Sequence, residues 1–507
     1  MKRFTFLLII TFSMFISNAQ NITDALRYST EAINGTARFN ALSGAFGALG
    51  GDITAMTINP AGSAIFLTSA GSATLSVVDK RNNANYYNTY TKSSEARLKF
   101  NQAGFVFVVD NYNQASSANK FTFGINYNST NNYSEDLFIN GTSNNSIDNF
   151  FLEQAQGVPL NSLIIHSGET TSGVYAYLGT TDGVASQNAF LGYQGYIIDP
   201  VDSENLDNTQ YFSNIAPGEF NQSYSLISSG YSGKFTFNFA TQINNRFSFG
   251  VNLNSNNISY SESTYLFETN NNTGSLINKV GFENNLYAYG WGFSAQFGAI
   301  AKVTEALRLG ITYDTPIWYN IYEETTQYLE TQRTVGGSNI NTVVNPLIVN
   351  VFYKYELRTP WKISGSAAYI FGKSGLLSFD YNFKDYTHTR FSPTNDPVFS
   401  SENSKIQTEL KGASSFRVGG EYRMNQLSFR GGYIYEESPY INKAALDDLY
   451  GFSMGLGYYL GKYSFDISYS RTKQEREQQL YSIGLTDTAF VEAINNIYSF
   501  TFVYEIN

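Results

Sequence analysis

The chain has 507 residues and a formal charge of −10, with no Cys, two His and only 15% charged residues. The acidic balance speaks against nucleic acid as a partner, and two His without Cys speak against a structural zinc centre. Phe (40), Tyr (39) and Gly (42) are abundant, Pro (10) is scarce, and the charged fraction lies well below the roughly 25% of soluble domains.

The N-terminus sets the compartment. Lys2 and Arg3 precede an apolar run from Phe4 to Ile16, and Ser17-Asn18-Ala19 supplies small residues for cleavage. Residues 1–19 therefore read as a secretory signal peptide, with the mature chain starting near Gln20 and carrying −12 once Lys2 and Arg3 are gone. No later apolar run is long enough for a transmembrane helix. The mean hydropathy of −0.25 suits a barrel whose lipid-facing side chains are offset by a polar lumen and polar loops. Without disulfides such a chain must be held by hydrogen bonding and burial, which a closed sheet provides.

Residues 20–68 lack strand alternation. Asn21 to Tyr28 reads as a short helix, and Gly44 to Asp52 is a Gly- and Ala-rich stretch. A compact segment ahead of the first strand fits inside a lumen as a plug. From residue 69 to 507 the period is two, as in Phe121, Phe123, Ile125, Tyr127; Phe235, Phe237, Phe239; Leu377, Phe379, Tyr381, Phe383; and Tyr498, Phe500, Phe502, Tyr504. Small or polar residues intervene, so one face suits hydrocarbon and the other water. Tight connections such as Asn244-Asn245, Phe371 to Gly375 and Leu460 to Lys462 alternate with longer ones at 133–228, 265–285, 321–347, 388–404, 438–450 and 476–493. Short periplasmic turns and long outer loops predict an all-β, antiparallel transmembrane barrel of about 14 strands, integral to the bacterial outer membrane. Pro360, in Thr359-Pro360-Trp361, cannot donate to a ladder and predicts an interruption of the eighth strand.

Three stretches carry a family resemblance. Gly35-Thr36-Ala37-Arg38, Gly44 to Asp52 and Asn59-Pro60-Ala61-Gly62 resemble the N-terminal hatch of the FadL-type outer-membrane transporters. Phe416 to Tyr422, Phe429 to Tyr433 and Ser438-Pro439 resemble that family's late hairpin, and 359–381 is a weaker match. The resemblance implies a fourteen-stranded barrel with a hatch that carries hydrophobic compounds, such as long-chain fatty acids or aromatic hydrocarbons, and releases them sideways through the wall. The entry groove does not transfer, because the longest loop here follows the third strand.

An apolar ligand needs exposed apolar surface that does not face lipid. The long loop offers Phe150, Phe151, Leu152, Leu163, Ile164, Tyr175, Tyr177, Phe190, Tyr193 and Tyr196. These residues suit both a core of the loop's own and a ligand groove. On the lumen face, Asp380, Lys384, Arg417, Glu421, Arg430 and Asp466 fall at alternate positions of late strands. They suit a network bracing the hatch, and Arg417 or Arg430 suits a ligand carboxylate through its bidentate fork. His166 and His388 lie in presumed loops without a triad arrangement, so no enzyme is expected. His166 reads as solvated rather than as a haem ligand, and no cofactor is expected. The reading is a passive, monomeric channel with a hydrophobic small molecule and outer-membrane lipid as partners. The alternative is a surface adhesion or structural barrel that binds a partner through the long loop; a general porin would lack the hatch.

Overall fold

The computed structural model describes residues 21–113 and 116–506; the expected signal peptide lies outside the described residues. Fourteen strands form the wall. They are β1 (Ser69–Tyr86), β2 (Thr89–Asp110), β3 (Ala118–Asn132, resuming as Glu135–Ser143), β4 (Phe220–Ile243), β5 (Phe247–Thr269) and β6 (Ile277–Lys302). Then come β7 (Leu307–Asp314, resuming as Trp318–Val335), β8 (Ser338–Val344, Asn350–Val351, Tyr355–Arg358 and Lys362–Phe371), β9 (Gly375–Asp385) and β10 (Gly412–Met424). The last are β11 (Leu427–Glu436), β12 (Leu449–Leu460), β13 (Tyr463–Gln479) and β14 (Thr488–Ile506). Neighbours pair antiparallel, and β1 pairs with β14 from Ser69↔Ile506 to Asn85↔Phe490. This first-to-last pairing closes the barrel, as a wall in hydrocarbon requires.

The lower half alternates as the sequence predicts. On β4, Phe235, Phe237 and Phe239 are exposed while Thr236, Asn238 and Ala240 are buried. On β5, Phe249, Val251 and Leu253 point out while Ser248, Asn252 and Asn254 point in. The periplasmic turns are tight, with Asn244 and Asn245 both at positive φ, as a two-residue hairpin requires.

The upper half departs from the expected loops. The 265–285 connection contracts to 270–276, and 321–347 becomes a hairpin turning at Gly336-Gly337. The long loop contracts to 144–219, because Glu135–Ser143 pairs with β4 up to Ser143↔Phe220. The physical reason is an inversion of amphipathicity. Below, the outward side chains are apolar; above, Tyr224, Leu226, Leu266, Phe282 and Leu329 are apolar and point inward. A search for outward apolar residues therefore stops at the membrane surface while the ladder continues. β4 has 24 residues. At ~3.3 Å rise and ~40° tilt such a strand climbs roughly 60 Å, far beyond an apolar band of about 25 Å.

Those inward residues carry a cap. Residues 144–219 form α4 (Asp148–Ala155), α5 (Leu160–Leu163), α6 (Thr171–Thr181) and α7 (Val184–Gln194). Their core is shared with the wall: Phe151, Leu178 and Phe190 pack in one cluster with Leu266, Phe282 and Leu329. Below the cap, α1 (Ile22–Ser29) and α8 (Pro397–Glu409) share a second core with Tyr260, Ile321 and Tyr355.

The rest of the N-terminal segment fills the lumen as a plug. It contains α2 (Ala37–Ala41), α3 (Ala55–Ile58) and a 3-10 turn Pro60–Ile65. Polar wall residues hold its backbone. Asp380 accepts from the Phe46 and Gly47 amides, each at 2.9 Å, and Asn252 and Gln296 donate to the Met56 and Thr57 carbonyls. Asn59 caps the 3-10 turn, accepting from the Ala61 amide and donating to the Gly47 and Ala299 carbonyls. The wall beneath it is glycine. A Cβ on Gly298 would lie 2.1 Å from Asn59 Oδ1, and one on Gly250 would lie 2.3 Å from the Pro60 carbonyl carbon. Gly298→Val should therefore leave the barrel folded and heat-modifiable on gels while lifting Asn59-Pro60 from the wall. Hydrogen exchange at the Ala61 and Gly62 amides is expected to accelerate at least about tenfold, the loss of roughly one capping interaction; unchanged exchange would contradict this docking.

Candidate functional site

The wall is not uniformly closed. The β2–β3 ladder runs from Asp110↔Lys120 up to Gln102↔Asn128 and stops there. β3 bulges between Ser129 and Asn131 against β4. Tyr133 then turns inward, its ring edge-on to Tyr28 at 6.3 Å and to Tyr260 at 5.5 Å. Higher up, side chains replace the ladder: the Ser93 hydroxyl donates to the Asp136 carbonyl at 2.6 Å. Between these levels β2 is an open edge, and Ala96, Arg97 and Leu98 are all exposed in succession. The breach begins about ten residues above the lower rim, roughly 25 Å up, at the outer-leaflet level. On the lipid side Phe100 stacks on Tyr127 across it, ring centroids 6.0 Å apart.

The N-terminal segment closes the breach from inside. The Ala32 amide donates to the Thr130 carbonyl at 2.9 Å. Asn128 Nδ2 donates to the Asn34 carbonyl at 3.0 Å, and Asn101 Nδ2 donates to the Gly35 carbonyl at 2.9 Å. Residues 32–35 thus bond to both lips, β2 through Asn101 and β3 through Asn128 and Thr130. Thr36, just beyond, caps α2 and donates its hydroxyl to Asp52, which fixes where the extended stretch ends.

Behind this seal lies a cavity of about 120 Å³, lined by Glu31, Asn34, Asn128, Lys234, Lys384 and Arg417 among others. A smaller space of about 30 Å³ adjoins it at Thr315, Ile317, Thr359 and Pro360. There β7 and β8 both break, the latter at the Pro360 anticipated from sequence. The cavity matches a single aromatic ring or a polar head group in size, not an extended acyl chain. Its walls are rich in cations. Glu31 lies 3.6 Å from both Lys234 and Lys362, and Lys362 also pairs with Asp314 at 2.6 Å. Lys234, foremost, holds the Glu31 carboxyl below the usual carboxylate range. Arg417 pairs with Glu436 at 3.0 Å and leaves its buried Nε without a partner. Lys384 Nζ donates to the Ser29 carbonyl at 2.8 Å and makes no ion pair among the described residues.

The six lumen charges read from sequence fall into two groups. Lys384 and Arg417 line the cavity. Asp380 holds the plug backbone, and Glu421 gathers Arg38, Arg423 and Arg430, with Arg430 bridging on to Asp466. Sequence reasoning missed Arg38, Glu31, Lys234 and Lys362. Lys234 and Lys362 lie on the lumen face of their strands, but Arg38 and Glu31 belong to no periodic segment.

The loop residues also divide. Phe150, Phe151, Leu163, Tyr175 and Phe190 are buried in the shared core; Leu152, Ile164 and Tyr193 are partly buried against it. Tyr177 is 64% exposed and Tyr196 38%. The Phe150 ring packs tilted against Tyr481, centroids 4.8 Å apart, which joins the cap to the last outer connection. His166 contacts Asn161 Oδ1 at 3.1 Å on the exposed side of the cap. His388 contacts Asp385 at 3.1 Å.

Comparison with known proteins places this architecture. Its fold is similar to that of a Pseudomonas aeruginosa FadL homologue, with a TM-score of 0.55 at 12% identity over 94% of this chain and 100% of that one. It is similar too to the P. putida toluene transporter TodX, with a TM-score of 0.52 at 12% identity over 94% and 100% of the two chains. No curated protein matches the sequence. Residues 207–492, more than half of the chain, match the model of a family described as outer membrane protein transport protein (OMPP1/FadL/TodX). The chain belongs to that family: it is an outer-membrane transport barrel, not an enzyme.

Proposed function

We propose that the chain, acting as a monomer, passes hydrophobic small molecules from the cell surface into the outer membrane through the breach between β2 and β3, with residues 30–36 as the movable seal. Residues 1–19 act as the signal peptide, 20–68 as the hatch, and the remainder as barrel and cap. One observation carries this reading: hatch backbone is bonded to both lips where the β2–β3 ladder stops. Only three hydrogen bonds, each worth about 1 kcal/mol net, tie the seal to the lips, and Glu31 adds ion pairs to Lys234 and Lys362 behind it; such a closure opens more readily than a continuous ladder. Proteins of similar fold include a toluene transporter and a monoaromatic hydrocarbon channel, and the cavity behind the seal has the volume for such a ring. Tyr177 and Tyr196 present surface for first contact on the cap, while Phe150, Phe151, Leu163, Tyr175 and Phe190 hold its shape.

The absence of Cys permits a direct lock. Ala32→Cys with Thr130→Cys places two thiols where backbone atoms already meet at 2.9 Å. Oxidation is expected to abolish uptake of toluene in whole cells and reduction to restore it; wild-type uptake by the oxidised protein would overturn the gate.

Lys384 and the unpartnered Nε of Arg417 favour a ligand bearing a carboxylate over a neutral one of equal size. Lys384→Gln with Arg417→Gln should weaken benzoate binding about tenfold, the worth of one charge-assisted hydrogen bond, and leave benzyl alcohol binding unchanged. Calorimetry on the detergent-solubilised protein measures both. Equal losses for the two ligands would assign these residues to packing alone.

A further inference from the structure

On the other side of the hatch, a cavity of about 670 Å³ lies at the periplasmic end, its rim including Lys302, Lys373, Gln426 and Glu505. Its chemistry is amphipathic. Its apolar surface comes from Ile65, Phe66 and Leu67, where the hatch hands over to β1, beside the polar Thr36, Arg38 and Asp52. One wall is cationic. Lys302 and Arg308 stand directly opposite each other on β6 and β7, both on the lumen face. Like charges so placed repel, yet neither makes an ion pair among the described residues. Glu305, in the turn between them, is exposed and outside salt-bridge distance. Arg308 donates to the Leu49 carbonyl at 2.8 Å, but its Nε is buried without a partner. Lys373 adds a third cation from the neighbouring turn. The acids nearby are otherwise engaged or peripheral: Asp466 is bonded by Arg430, Glu421 by Arg38, Arg423 and Arg430, Asp52 by Thr36, and Glu505 lies at the far rim.

We infer that this vestibule is a second binding site, for an anionic amphiphile with a carboxylate or phosphate head and a single hydrocarbon chain. The head meets the Lys302 ammonium and the Arg308 guanidinium, which relieves their repulsion. The chain lies along Ile65, Phe66 and Leu67. The volume falls within the roughly 300–1,000 Å³ of small-molecule sites. Because the hatch separates it from the upper cavity, the inference does not rest on the proposed gate.

The test uses the full chain in an uncharged detergent, with bimane on Ser428→Cys at the vestibule wall. Doxyl-labelled stearate should quench it saturably, and its methyl ester at least about tenfold more weakly. Lys302→Gln with Arg308→Gln should weaken stearate quenching about tenfold, and Arg308→Lys should retain it. Lys384→Gln with Arg417→Gln should not alter it, which separates this site from the upper cavity. Dodecyl phosphate should compete and inorganic phosphate should not. If lysophosphatidylglycerol competes and lysophosphatidylcholine does not, a single-chain lipid supplies the head group; if neither competes, it comes from a free amphiphile, and both support the site. Heat-modifiable migration verifies each variant's fold, and Lys302→Gln alone serves if the double variant does not fold. Equal quenching by the methyl ester, or wild-type affinity in the charge-removed variants, would overturn the inference.

Discussion

In hydrocarbon every backbone N–H and C=O must find its partner inside the protein. That requirement closes β1 onto β14, and at the breach between β2 and β3 it calls for partners from outside the ladder. The ladder stops at Gln102↔Asn128, and the groups beyond it cannot be left to lipid. The hatch bridges the gap instead of a strand: its Ala32 amide satisfies the Thr130 carbonyl, and the Asn128 and Asn101 side chains reach in to bond its Asn34 and Gly35 carbonyls. A plug that completes the wall ties two events together, since it cannot move without opening the side of the barrel.

Above and below this seal the lumen is filled in tiers, each held by different physics. The hatch is fixed by polar contacts and by lumen glycines such as Gly250 and Gly298 that let its backbone approach. The cap is fixed by apolar burial: Phe151 and Phe190 share a core with Leu266 and Phe282. At ~1.5–3 kcal/mol for each large side chain buried, that core of many such side chains is more costly to open than the few polar contacts of the seal. The physics therefore concentrates motion at residues 30–36 rather than at the mouth. The Glu421 cluster, which ties Arg38 to Arg430 and Asp466, anchors the hatch just beyond that moving stretch.

Much of this was legible in the sequence. Period-two alternation placed the membrane band, the non-alternating 20–68 segment marked the plug, and Pro360 marked a strand break because proline cannot donate to a ladder. The upper wall was not legible, because its amphipathicity is inverted and its inward apolar residues resemble a loop's own core. The aromatic set in the long loop was found, but packing decides which of its members are exposed, as Tyr175 and Tyr177 show. The breach left no local signature: it arises from a bulge at Ser129 and from the reach of Asn101, 66 residues away from Gly35. The Arg38–Glu421 pair spans 383 positions, beyond any periodicity.

The most direct test of the gate is a structure of the full chain in a lipid nanodisc with a neutral, bromine-bearing hydrocarbon. Bromine density between β2 and β3 beside Asn101 and Asn128, with the Ala32–Thr130 bond broken, is the result this account predicts. Bromine passing beneath the hatch while the Ala32–Thr130 bond stays intact would contradict it.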